Sequence, residues 1–99
     1  MKRFNYETKT LMWENFSVLE QESNAAIKTF YNEVFEEVKN DYICLTELVI
    51  VLNWKGWDHY EENRMNTANL YFDLFREAQE YAFENLTGSE LTYFIRTTD

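Results

Sequence analysis

The stretch Leu48-Val49-Ile50-Val51-Leu52-Asn53-Trp54-Lys55-Gly56-Trp57-Asp58-His59-Tyr60 decides the fold. Its first five residues form an unbroken apolar run rich in β-branched side chains, which suits a buried strand as well as a buried helix. The continuation separates the two. Leu48, Val49, Leu52, Gly56, His59 and Tyr60 make one stripe at helical spacing, with Ile50, Trp54 and Trp57 in a second beside it, and no turn signal interrupts before Glu62-Asn63. A helix that is apolar on most sides is a central one. With Thr46 as its N-cap, the expected element covers residues 46–62. Gly56 then costs about 1 kcal/mol relative to alanine, unless it admits a neighbouring backbone or an aromatic ring.

Working outward, Ile27, Phe30, Tyr31, Val34, Phe35 and Val38 recur every three or four residues, predicting an amphipathic helix over 24–40 with Asn24 as N-cap and Asn40-Asp41 as exit. On the other side, Leu70, Phe72, Leu74, Phe75, Ala78, Tyr81 and Ala82 define a broad apolar face over 66–86, stopped by Gly88. Thr87 and Glu90 have capping-box spacing ahead of Leu91, Phe94 and Ile95, which predicts a short helix over 89–97. In the first 22 residues, Phe4, Tyr6, Thr8 and Thr10 alternate as in extended chain, while Leu11 to Leu19 fits a short helix or a strand. The expected architecture is all-α: one domain over 1–99, a small bundle of three main helices plus a short C-terminal helix, with an extended or irregular N-terminal arm.

Composition bounds the function. Eighteen acidic against nine basic residues leave a net charge of -9, which disfavours direct contact with nucleic acid or an acidic membrane surface and favours a basic partner. The 18% aromatic content argues against disorder. No apolar run has membrane-spanning length, and no apolar segment follows Lys2-Arg3, so a cytoplasmic setting is expected. Cys44, the single cysteine, lies between Ile43 and Leu45 and reads as a buried small hydrophobe.

Chemistry has few places to reside. With one histidine and one cysteine, the chain offers neither a histidine pair nor a thiolate cage to a metal, and two glycines build no phosphate-cradling loop. Asp58 and His59 are adjacent and point in different directions on a helix, so His59 reads as a packed or surface histidine. The pairs Glu33 with Glu36 and Glu37, Asp58 with Glu61 and Glu62, and Glu77 with Glu80 read as solvated helix faces. No catalytic, cofactor-binding or metal-ligating residue is expected, and no cofactor.

Two features invite a partner. Trp54, Trp57, Tyr60, Tyr71 and Phe75, with Phe72, gather around the turn between the two strongest helices; they fill the core or, as interface anchors, form a surface for a homodimer or another protein. Asp73, Glu77, Glu80 and Glu84 fall at i, i+4, i+7 and i+11, a stripe of carboxylates roughly 5 to 6 Å apart along one helix. Such a ladder is a solvated face, or it imitates a phosphate backbone and inhibits a basic DNA-binding or defence protein. Arg76 beside it weakens the imitation.

Gly56, Ala68 and Phe72 have spacing similar to the small, small and aromatic positions of a tetratricopeptide-like helix pair, in one unit rather than an array. The stretch from Leu48 through Asn53-Trp54-Lys55-Gly56-Trp57 to His59-Tyr60, with the closing Tyr93-Phe94-Ile95-Arg96-Thr97-Thr98-Asp99, resembles a group of short acidic proteins of unassigned function found on mobile elements of gut Bacteroidetes. That resemblance implies a setting, conjugative or phage-derived DNA, and no site residues.

Overall fold

The decisive stretch is helical. A computed structural model describes residues 9–98, among which there are five α-helices and no strand: α1 (Lys9–Glu20), α2 (Asn24–Val38), α3 (Tyr42–Glu61), α4 (Met65–Asn85) and α5 (Gly88–Thr98). Helix α3 packs against all four others and so runs through the centre of the bundle. Residues Leu48 to Leu52 are all buried, which accounts for a run with no polar side. Beyond Asn53 the helix becomes one-sided: Lys55, Gly56 and His59 face inward, while Trp54, Trp57, Asp58 and Tyr60 face outward.

The three main helices and the short last one are joined by α1, so that of the arm or short helix expected over 1–22 the helix is found at Lys9–Glu20 in place of extended or irregular chain; the alternation at Phe4, Tyr6 and Thr8 lies outside the described residues, and Thr10 is helical. Met12 and Phe16, one turn apart, are fully buried and seat α1 in the core. Phe16 meets Phe30 edge-on at 4.8 Å and Tyr71 at 5.8 Å between ring centroids, joining α1, α2 and α4.

Helix starts differ from the sequence expectation by small shifts with local causes. Ser23, not Asn24, caps α2, its hydroxyl accepting from the Ala26 amide at 3.0 Å. Asp41, not Thr46, caps α3: its carboxylate accepts from the Ile43 and Cys44 amides at 3.1 and 3.2 Å, a stronger cap because the acceptor is charged. Thr46 is a turn inside, fully buried, with its hydroxyl donating to the Tyr42 carbonyl at 2.7 Å. Cys44 is half-buried and packs against the core rather than lying fully inside it.

Two turns complete the frame. After Glu62 the chain enters the left-handed region at Asn63 (φ 63°), and the Asn63 amide donates to the Tyr60 carbonyl at 3.1 Å while the Arg64 amide reaches back to His59 at 2.9 Å. This is a Schellman ending, with asparagine in the place glycine usually takes. Helix α4 ends at Asn85 with Leu86 as its C-cap, and Gly88, at φ 59°, opens α5 rather than closing α4. Among the described residues neither Thr87 nor Glu90 makes the side-chain bonds of a capping box; only the Thr87 carbonyl accepts, from the Leu91 amide at 3.5 Å. Gly56 does admit an aromatic ring: a Cβ there would lie 2.5 Å from Cε1 of Phe72, so its missing side chain is what lets α4 lie close to α3.

Candidate interaction surface

Lys55 follows Leu52 by three residues and precedes His59 by four, so helical geometry carries it inward on the core-facing stripe. A buried ammonium needs partners. Lys55 is 2% exposed and donates to the Ser17 hydroxyl and to Glu20 Oε2 at 3.0 Å, and its Nζ lies 4.0 Å from the centre of the Trp13 ring. Glu20 Oε2 also accepts from His59 Nε2 at 2.8 Å and from the Tyr71 hydroxyl at 2.8 Å. Arg64, placed by the Schellman turn, donates from Nε to His59 Nδ1 at 2.8 Å, so the ring proton sits on Nε2. The His59 ring stacks on Tyr71 at 5.6 Å.

The result is a knot of polar groups tying α1 to α3, α4 and the turn between them. Burial works to raise the Glu20 carboxyl, but hydrogen bonds from His59, Lys55 and Tyr71, with the Lys55 charge, outweigh it and hold the group below the ordinary carboxylate range. Burial, reinforced by the Glu20 charge, pushes the Tyr71 phenol well above its usual value. Among the described residues no buried side-chain nitrogen or oxygen lacks a hydrogen-bond partner. A lysine beside a serine is the arrangement of a nucleophile and its base. Here the Lys55 amine is committed to the Glu20 carboxylate and the Trp13 ring, and Ser17 spends its own proton on the Trp13 carbonyl at 2.8 Å. The knot is built to hold three helices in register.

The outward side of the same helix is aromatic. Trp54, Trp57 and Tyr60 are 50%, 51% and 47% exposed, a large apolar surface within two turns of one helix. Trp57 is braced edge-on between Tyr60, at 5.4 Å, and Phe72 of α4, at 5.3 Å. Trp54 stands as a ridge between two grooves: one of about 330 Å³ beside Thr10, Trp13 and Glu14, and one of about 350 Å³ beside Val49, Ile50, Asn53 and Phe75. Lys9 borders both, its Nζ 5.5 Å from the centre of the Trp54 ring.

Of the five rings named from sequence, three form this face and Phe75 lines a groove next to it, half-buried. Tyr71 does not belong: it is 0% exposed and its hydroxyl is committed to Glu20 inside the bundle. Glu20, Lys55, Arg64 and Ser17 were missed as a group. Their one sequence signal was Lys55, a charge on an otherwise apolar stripe, which demands a carboxylate from elsewhere in the chain.

Asp73, Glu77, Glu80 and Glu84 are all exposed along α4. Two of the four are engaged within the chain: Asp73 pairs with Arg76, and Glu77 accepts from the buried Tyr31 hydroxyl at 3.4 Å. Among the described residues no helix is long and apolar enough to cross a membrane, and no three of His, Cys, Asp and Glu are grouped as a metal-ligand set. No family model, curated protein or solved structure matches the chain.

Proposed function

We propose that this chain is a small non-enzymatic helical domain that works by binding another protein, or a second copy of itself, through the Trp54, Trp57 and Tyr60 face of α3. The observation that carries this reading is the half-exposure of three large rings on a helix whose opposite side is fully packed. Tryptophan and tyrosine anchor interfaces because they bring large area with few rotatable bonds. The inward-turned chemistry supports the non-enzymatic part, since the reactive side chains of the knot are all consumed by one another.

Selection of a displayed random-peptide library against the wild type and against Trp54→Ala and Trp57→Ala variants tests the reading, alongside molar mass by light scattering at low and high salt. Peptide enrichment, or a dimer, that disappears in the variants while thermal unfolding is retained supports it. A monomer that enriches nothing through these rings defeats it. The exposed ladder from Asp73 to Glu84 motivates a second reading, an acidic inhibitor seated in the basic groove of a DNA-binding or defence protein, for which the mobile-element resemblance would supply a setting. Charge reversal at Glu80 and Glu84 that leaves competition with DNA for such a partner unchanged would remove it.

A further inference from the structure

The aromatic face carries its own acidic edge. Trp54, Trp57, Asp58 and Glu61 fall at i, i+3, i+4 and i+7 of α3 and share one stripe, so two carboxylates lie beside the two indoles. Asp58 and Glu61 are exposed, and among the described residues neither carboxylate has an ionic or hydrogen-bond partner. Glu14 adds a third exposed carboxylate at the groove against Trp54. Glu62, by contrast, is already paired with Arg64.

This juxtaposition selects an occupant. An indole face attracts a cation through its quadrupole, and a neighbouring carboxylate completes the charge. The chain displays that recognition on itself: Lys9 lies over Trp54 with its ammonium 5.5 Å from the ring centre. A second copy of this chain is a poor occupant, because each copy brings a net charge of -9 and would set Asp58 and Glu61 against like charges. Nucleic acid is repelled by the same groups. Resting on the binding face proposed above, we infer that its partner is a basic segment of another protein, whose arginine or lysine stems lie across Trp54 and Trp57 and whose charged heads meet Asp58, Glu61 and Glu14.

The test uses the full chain and two labelled synthetic helical peptides with the same leucine face, one bearing arginine and lysine on its polar side and the other glutamine. Fluorescence anisotropy should show the basic peptide binding about tenfold tighter or more. Its affinity should fall as salt rises through the range where the Debye length shrinks below about 10 Å. Asp58→Asn with Glu61→Gln should remove most of that preference, and Trp57→Ala should weaken both peptides, with thermal unfolding confirming that each variant is folded. Equal binding of the two peptides would overturn the basic partner while leaving the face itself intact. Binding of neither, with a dimer by light scattering, would make a second copy the occupant and overturn the inference. Binding of neither by a monomer would bring down both the inference and the face.

Discussion

The two sides of α3 reverse the usual placement of side chains. Inward, between α1 and α4, sit a lysine and a histidine; outward, against solvent, stand two tryptophans and a tyrosine. The buried polar groups are tolerated because each finds its partner within hydrogen-bond reach, with one carboxylate oxygen of Glu20 receiving Lys55, His59 and Tyr71 together. The exposed rings have no such completion. Phe72 and Tyr60 brace Trp57 from the sides, and its remaining surface faces water. Polarity alone therefore does not say where a side chain lies in this helix; register does, and the departures from the polarity rule mark what holds the bundle and what is offered to a partner.

The comparison is broken most severely at Glu20. Glu20→Ala leaves the Lys55 ammonium buried without its counter-charge and should cost about 3 to 5 kcal/mol, read from the urea unfolding midpoint. A loss no larger than that of a surface substitution would mean the knot holds nothing. Acid probes the same group without mutation. The Glu20 carboxyl is lowered from an ordinary 4.5, so its stabilisation is complete above that value and is lost as pH falls through the lower folded value. The wild type should show this acid-dependent loss, and Glu20→Gln, measured from its own lower starting stability, should lack that component.

Gly56→Ala tests whether the close approach of α4 is as tight as the geometry indicates. Alanine gains about 1 kcal/mol of helix propensity, but its methyl would enter the Phe72 ring at 2.5 Å, and forced overpacking costs about 1 to 3 kcal/mol. Net destabilisation, relieved by Phe72→Leu, is the expected result of thermal unfolding. Stabilisation would show that the ring yields freely. Because Phe72 also braces Trp57, the repair should loosen the aromatic face and lower the affinity of the basic peptide.

The outward side should respond more weakly in stability and more strongly in binding. Trp57→Ala removes two edge-on contacts from a half-exposed ring and should cost about 1 to 2 kcal/mol. The fully buried Phe16→Ala should cost about 3 to 5 kcal/mol. If the two losses match, Trp57 belongs to the core and the contrast between the two sides disappears. Smallest of all, Asp58→Asn should stay within about 0.5 kcal/mol of wild-type stability while reducing basic-peptide affinity, which sharpens the division between folding and recognition.

How far this was legible from sequence follows from the range of each interaction. The helical period from Leu48 to Tyr60 and the apolar faces over 24–40, 66–86 and 89–97 are repeated local signals, and the four corresponding helices are present. The starts were displaced because an aspartate or serine a few residues upstream offers a cap that competes with Thr46 or Asn24, and the periodicity of the helix body does not distinguish between them. Helix α1 was left open because its apolar pattern is short and becomes decisive only where Met12 and Phe16 find the core.

By itself, then, the sequence determined an acidic, aromatic chain with a helical fold and a central helix expected at 46–62, which the structure places at Tyr42–Glu61, since period and composition are properties of neighbouring residues. Only the tertiary structure decided that Tyr71 turns inward while Trp57 turns out, and that Glu20 meets Lys55 from 35 positions away, because those outcomes depend on which helix lies against which. Burial is a property of the packed neighbours, and a charge acquires its role only when folding brings it to the charge that answers it.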